Sequence, residues 1–348
     1  MEKIDFVVTW VDGSDPKWRE SKHFYENGGK AAGGGSHVQA RAAGESNSDC
    51  RYRDYGTLRY WFRAVEKFTP WVNRVFFVTC GQKPDWLNEN HPKLRLVNHT
   101  DYIPAEYLPT FHSNTIELNL HRIPDLSEHF VLFNDDVFVL RPVSPEAFFR
   151  KGLPVLSCDL AIPNWLGCSN TSRLALNNGG MLKRSFNVER AVWRNSHKFF
   201  SIPKLGFVRA MKNLISFSVN RIWIPGTFGH LKMPHLKSTF EEIWRAQPMI
   251  MDRSSRAKFR IDDGINHWMV CGWNMLKGNF VPDNEKRHGE YVSPDDGNVA
   301  QVCKLIRSQA IPQICLNDSE RITDPEGCFR QIAEAFESIL PEKSGFEK

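Results

Sequence analysis

A chain of 348 residues is long enough to bury a proper core, as one large domain or as a domain with a second lobe. Hydrophobic residues at 41% and charged residues at 24% are ordinary for a folded globular protein. A net charge of +5, read as acids and bases interspersed, excludes a dedicated nucleic-acid binder; the slight basic excess leans toward a phosphate-bearing substrate.

No apolar run approaches the ~20 residues needed to cross a bilayer. The opening Met1-Glu2-Lys3-Ile4-Asp5-Phe6 lacks the basic-then-apolar layout of a secretory signal. A cytoplasmic location is therefore expected. The cysteines (Cys50, Cys80, Cys158, Cys168, Cys271, Cys303, Cys315 and Cys328) are scattered without a Cys-x-x-Cys pair. That excludes zinc-finger spacing and predicts reduced, structural thiols.

Ile4 to Val11 is a β-branched and aromatic run that halts at Asp12-Gly13-Ser14-Asp15-Pro16. A short apolar strand ending in a polar, Gly-containing loop is how an open α/β sheet presents its ligand edge. Residues 27–48, rich in Gly, Ala and Ser, predict a flexible surface loop. Leu58, Trp61, Phe62, Val65 and Phe68 recur at helical spacing, so 55–68 predicts an amphipathic helix. Asn73–Thr79 and Leu94–Val97 read as strands. Ile116, Leu120 and Ile123 mark a helix that ends before Pro124.

Phe130–Phe133 reads as a buried strand running into Asn134-Asp135-Asp136, with Val137–Leu140 following at once. Strands alternating with helices argue an α/β fold with a mostly parallel sheet. Residues 150–230 or so carry breakers, Gly179-Gly180 among them, and suit a variable, more helical acceptor-side lobe. The core would comprise about 1–150 and 230–340 of a single catalytic domain. Further helices are predicted at 238–246, 263–274, 297–308 and 326–340, with a strand at Ile311–Leu316.

The adjacent carboxylates Asp135 and Asp136 are the most informative residues. Ionised neighbours at a strand end repel each other, and desolvation raises the cost, so something positive belongs there. Hard oxygen donors beside a diphosphate select Mg²⁺ or Mn²⁺. A solvated turn between two strands is the bland alternative. Asp12-Gly13-Ser14-Asp15 reads by itself as an ordinary polar turn, with a ligand loop as the second reading. Thr110-Phe111-His112-Ser113-Asn114 reads as a capped helix start. His121 and Arg122 are candidates for phosphate, which Arg grips in a fork. His235 lies in a loop after Pro234, Arg260 lies in a mixed-charge cluster, and Asn317-Asp318 ends an apolar run.

In order, these segments resemble the Stealth family of sugar-phosphate transferases. Ile4 to Pro16 resembles its first block. The second block is matched by Tyr52-Arg53-Asp54, Leu58-Arg59-Tyr60, Pro70-Trp71-Val72, Val78 to Gln82 and Pro84 to Leu87. It continues through Leu108 to Phe111, His121 to Pro124 and Asn134 to Phe138. Met233-Pro234-His235 with Phe259-Arg260 is similar to the third block. Cys315 to Asp318, with the tail from Leu340 to Glu347, is similar to the fourth. His112-Ser113-Asn114 departs from the usual order of those residues, and residues 150–230 match weakly.

The resemblance implies a nucleotide-sugar-transferase-like core. It implies transfer of a sugar-1-phosphate, N-acetylhexosamine-1-phosphate by family, from a nucleoside diphosphate sugar to a glycan hydroxyl in capsule or surface polysaccharide synthesis. His235 becomes the expected base and Arg260 a phosphate clamp, with Asp135 and Asp136 beside them. Trp10, Asp12, Gly13, Asp54, Thr110, His112, Asn114, His121, Arg122 and Asn134 become substrate contacts. Asp136, Asn317 and Asp318 become ligands for Mg²⁺, with Mn²⁺ as substitute. Peripheral docking on a membrane polysaccharide-assembly complex is compatible with this. A glycosyltransferase that releases nucleoside diphosphate, and a non-catalytic carbohydrate-binding protein, stand as alternatives.

Overall fold

The structure is a computed structural model that describes residues 2–29, 49–158, 160–161, 170–220, 224–225, 231, 233–318 and 322–348. The first half comprises β1 (Ile4–Thr9), α1 (Pro16–Glu26), α2 (Leu58–Phe68), β2 (Val75–Thr79), β3 (Leu94–Asn98), α3 (Ser113–Leu118), β4 (His129–Asn134) and β5 (Val137–Val139). The middle runs through β6 (Phe149–Arg150), β7 (Leu153–Ser157), β8 (Leu160–Ala161), α4 (Asn170–Ser185), α5 (Val188–Arg194), α6 (Ser196–Phe199), α7 (Ile202–Leu205), α8 (Phe207–Asn220) and β9 (Ile224–Pro225). The last third holds β10 (Met233–Leu236), α9 (Lys237–Ala246), α10 (Pro248–Ser255), α11 (Trp268–Lys277), β11 (Val281–Asp283) and β12 (Gly289–Val292). It closes with α12 (Val299–Ser308), β13 (Gln313–Leu316) and α13 (Pro325–Ile339).

The main sheet has the order β10-β4-β1-β2-β3, parallel except for the antiparallel edge strand β10. Alternation along the strands splits the core into two layers. Phe6, Val8, Val131 and Phe133 face α2, α12 and α13, whereas Val7, Phe130 and Leu132 face the helices of the middle segment. Period-two side-chain direction makes this a three-layer α/β/α arrangement. The parallel strands β1 to β4 therefore end along one edge, with Thr9 level with Asn134 and Thr79 level with Asn98.

Two smaller sheets matter for the site. β5 leaves the main sheet and pairs antiparallel with β13, which in turn pairs with β12; β7 pairs with β6 and β11. Cys80, Cys158, Cys271, Cys303, Cys315 and Cys328 are free thiols. Among the described residues no helix is long and apolar enough to cross a membrane.

The predicted strands and the amphipathic α2 appear close to their expected bounds. Helix α1 has no counterpart in the sequence reading, because its exposed surface gives it no apolar stripe. Its start is set by Asp15, whose carboxylate accepts from the Lys17 and Trp18 amides, with Pro16 at the first turn. The helix expected through Ile123 stops at Leu118 and gives way to a 3₁₀ turn. Gly179-Gly180 does not break the chain but lies within α4. Packing of Met181 and Leu182 outweighs the roughly 1 kcal/mol that a helical glycine costs. The helix expected at 263–274 begins at Trp268, because Asn266 is tied to Asn178 by its backbone amide and its side chain. Most of the loop expected at 27–48 lies outside the described residues.

Candidate active site

Four strand ends build one edge of a cleft, and the turn after each is locked by short polar contacts. After β1, the Asp12 carboxylate accepts from the Ser14 amide at 2.8 Å and the Ser14 hydroxyl at 2.6 Å, closing a tight turn. After β2, the Gln82 amide accepts from the Asp12 amide and donates to the Asp12 carbonyl, both at 2.9 Å, and donates to Asp15 at 3.1 Å. The segment from Arg51 to Tyr55 lies across this turn, anchored where the Gly13 amide donates to the Tyr52 carbonyl at 2.8 Å.

After β4 the chain passes through Asp135 and Asp136 into β5. Because β5 pairs with β13, the Leu316 amide donates to the Asp136 carbonyl at 2.9 Å. Asn317 and Asp318 therefore emerge beside the two carboxylates. Arg51 donates to Asn317 at 3.1 Å, and Tyr55 donates to Asp318 at 3.0 Å, with Arg53 3.6 Å from the same carboxylate. These groups, with Trp10 and Asp54, line a hollow of about 700 Å³. Sharing Trp10, Arg51, Tyr52, Asp135, Asp136 and Asn317, a second hollow of about 1070 Å³ continues toward Thr110, Glu117, Asn134 and Arg260. A wider groove opens from Tyr52, Arg53 and Asp54 toward α1 and α13.

The carboxyls are electrostatically strained. Burial pushes Asp135 well above the usual carboxylate range, and Asp136 and Asp54 add repulsion. Burial lifts Asp136 to about 6, against the pull of a hydrogen bond with Cys315 and the charge of Arg51. Asp54, an exposed residue, is raised by partial desolvation where its carboxyl enters the hollow and by the charge of Asp12. Asp136 Oδ1 is buried without a hydrogen-bond partner, which is costly unless a charge or donor completes it. Hard oxygen donors of this kind fit a divalent cation such as Mg²⁺. Among the described residues no three His, Cys, Asp or Glu side chains are already gathered as a metal cluster. A cation here would rest on few carboxylates, with water and substrate oxygens completing it.

The second hollow has an aromatic flank. Trp18 lies 4.9 Å from Tyr52 and 5.6 Å from Phe111, and Phe111 stacks on Phe259 at 5.3 Å. Its wall includes Glu117, whose carboxylate meets His267 at 2.6 Å. Burial works to raise Glu117, but His267, His112 and Arg260 hold it below the usual range.

Asp54, Asp135, Asp136, Asn134, Asn317, Asp318, Trp10, Thr110 and Arg260 thus share one cleft. Asp12 and Gly13 shape its rim: the Asp12 carboxylate serves its own turn, and Gly13 packs on Tyr52. His112 and Asn114 are buried at the start of α3, behind the wall.

Besides His112 and Asn114, three further assignments require correction. His235 is fully buried on β10, 5.5 Å from Phe130, 5.3 Å from Phe240 and 5.5 Å from His267. Burial presses its ring well below the usual histidine range, and it does not line the cleft, so it cannot take a substrate proton. His121 is buried 5.9 Å from both Phe240 and Trp244. Arg122 lies 4.6 Å over the Trp244 ring and bonds Asn119. Neither lines the cleft. Sequence reasoning missed Arg51, Trp18, Tyr55 and His99 as lining residues. His99 follows β3 as Asp12 follows β1, so the strand-end rule carried a signal for it.

Residues 2–30 match the family model for Stealth protein CR1, conserved region 1, and residues 51–155 match Stealth protein CR2, conserved region 2. The chain is 40% identical over its whole length to a full-length capsular polysaccharide phosphotransferase WcwK of Streptococcus pneumoniae. It is 38% identical to the receptor polysaccharide phosphotransferase WefC of Streptococcus gordonii, covering 100% of this chain and 99% of that one. This chain belongs to the Stealth family. As a Stealth protein with full-length relatives named phosphotransferases, it is an enzyme of the transferase class, and the non-catalytic alternative falls away. The solved structure of the galactosyltransferase LgtC with donor and acceptor sugar analogs covers 97% of this Stealth chain and 95% of its own, at 12% identity and a TM-score of 0.40.

Proposed function

We propose that this Stealth protein transfers a sugar-1-phosphate, an N-acetylhexosamine-1-phosphate by preference, from a nucleoside diphosphate sugar to a glycan hydroxyl of a capsular or surface polysaccharide. The observation that carries this reading is the set of raised carboxyls, Asp54, Asp135 and Asp136, lining the same cleft as Arg51, Arg53 and Arg260. Carboxylates that need a cation, in one cleft with guanidinium groups, suit a diphosphate better than a neutral sugar alone.

Asp135 and Asp136, with Asn317 and Asp318 beside them, would hold Mg²⁺ or Mn²⁺. When bound, such a cation offsets charge on the diphosphate. Arg51 and Arg260 flank the phosphate path and steady its oxygens. The Trp18, Tyr52 and Phe111 rings give the base or sugar an apolar face. Asp54 sits where the inner hollow meets the open groove, and its raised affinity for a proton suits a base that receives the acceptor's hydroxyl proton. As the acceptor oxygen bonds to phosphorus, the bond from phosphorus to the nucleoside monophosphate oxygen breaks. Positioning and charge neutralisation dominate such a transfer.

The test is product analysis by mass spectrometry, with a panel of UDP- and GDP-sugars, mixed glycan acceptors, and Mg²⁺ or EDTA. Nucleoside monophosphate and a phosphodiester-linked product, both lost with EDTA, are expected. Nucleoside diphosphate release would assign the chain to conventional glycosyl transfer instead.

A further inference from the structure

Helix α8 buries Ala210 and Phe217 in the core, with two polar groups beside them, and leaves other apolar side chains outside. Asn213 and Ser216 point into the protein, and Asn213 is fully buried. Its side chain accepts from the Leu160 amide at 3.0 Å and donates to the Cys158 and Phe199 carbonyls at 2.9 Å each. The opposite face turns large apolar groups outward. Phe207 is 65% exposed, Val208 80% and Ile215 61%. Val208 and Ile215 are two turns apart on one side of the helix, with Met211 and Lys212 between them. Ile202 at the start of α7 and Trp193 on α5 are about half exposed. Most of the strongly exposed large apolar side chains among the described residues fall between Trp193 and Ile215. A cluster of this kind marks an interaction surface rather than scattered exposure.

Charge selects the occupant. From Arg190 to Asn220 the sequence contains Arg190, Arg194, Lys198, Lys204, Arg209 and Lys212 and no Asp or Glu. Lys198 turns inward and donates to the Gly278 and Phe280 carbonyls at 2.7 and 2.9 Å, whereas Arg190, Arg194 and Lys204 are exposed. Apolar side chains projecting from an amphipathic helix, with Lys and Arg around them, match a bilayer interface with anionic headgroups. The apolar groups enter the acyl boundary while the cations meet the headgroups.

We propose that the α7–α8 surface docks this protein peripherally on an anionic membrane. The surface lies outside the cleft-lining residues, so the inference stands apart from the reading of the reaction.

The experiment is co-sedimentation of the full chain with vesicles of phosphatidylcholine alone or mixed with phosphatidylglycerol, and light scattering without lipid. Binding to the anionic vesicles should be at least tenfold stronger than to phosphatidylcholine, and should weaken as salt rises. Phe207→Asp, Val208→Asp and Ile215→Asp combined should abolish it. Lys204→Gln with Lys212→Gln should weaken binding to the anionic vesicles alone. Unchanged unfolding midpoints would show that these exposed substitutions leave the fold intact. Equal binding to both vesicle types, binding to neither, or undiminished binding by the triple variant would overturn the proposal. A dimer that the triple variant dissolves, without vesicle binding, would assign the face to a second copy and overturn it too.

Discussion

Glu117 and His267 meet at 2.6 Å, carboxylate oxygen to Nδ1, with both side chains buried at the wall of the cleft. The other ring nitrogen of His267 faces Met233 Sδ at 2.8 Å, which ties the pair to the edge strand β10. Removing one partner of a buried pair strands the other, at a cost of about 3–5 kcal/mol. His267→Ala should lose stability of that order in urea unfolding at neutral pH. Glu117→Gln, which keeps a hydrogen-bonding group of the same size, should lose much less. Equal losses in the two variants would show that packing, not the pairing, is what the site supplies.

Asp136 illustrates stability given up for a charged site. Its carboxyl, raised to about 6, is ionised at neutral pH only against burial, and Oδ1 has no partner. Asp136→Asn removes that charge. The metal-free variant should therefore be more stable than the metal-free parent at pH 7, on the order of 1–2 kcal/mol. Transfer activity should fall at least a hundredfold, and Mg²⁺ should no longer raise the melting temperature. Melting curves with and without Mg²⁺ check both; a variant still stabilised by Mg²⁺ would remove Asp136 from the metal assignment.

Acid should destabilise the fold from about pH 6.5 downward. Burial lowers His99 to about 4, and His112 and His121 to about 3, with Arg260 acting on His112 and Arg122 on His121 in the same direction. In the unfolded chain these rings take up protons near 6.5. Between that value and the native pKa the unfolded state holds more protons, so stability is full above 6.5 and falls with pH. Each ring contributes a slope of up to about 1.4 kcal/mol per pH unit. The raised carboxyls Asp54, Asp135 and Asp136 work the other way, gaining as pH falls, but His235, pressed well below the usual range by burial, adds a fourth ring to the losing side. Unfolding free energies measured from pH 7.5 to 5 should fall steadily; a flat profile would mean that the rings protonate in place.

The centre of the sheet was legible in the sequence because β1, β2 and β4 are buried on both faces and read as near-continuous apolar runs, as at Phe130–Phe133. The strand-end rule then located Asp12, Asp135 and Asp136. Other features depended on tertiary placement. Nothing local in Met233-Pro234-His235 distinguishes a cleft histidine from one on an edge strand; the register with Phe130 decides it. Arg122 reads as a phosphate ligand until its guanidinium is placed over the ring of Trp244, far along the chain and outside the cleft lining. Asn317 and Asp318 reach Asp136 only because β5 crosses to β13, a pairing between segments some 175 residues apart that no periodicity encodes.

Gly13 offers the sharpest test of how the cleft is assembled. Its amide donates to Tyr52, and a Cβ built there would lie 2.3 Å from the Tyr52 carbonyl oxygen and 2.7 Å from Tyr52 Cβ. The clash is with backbone, so no side-chain rotation relieves it. Gly13→Ala must instead lift the segment from Arg51 to Tyr55 off the β1 turn. That segment supplies Arg51, Tyr52, Arg53 and Asp54 to the cleft but contributes little to the two core layers. The variant should therefore keep a melting temperature within a few degrees of the parent, while kcat/KM falls at least tenfold. Tyr52→Ala should not rescue it, since the obstructing atoms include the backbone carbonyl. Near-parental kcat/KM in Gly13→Ala would show that the segment is not held against the turn during turnover.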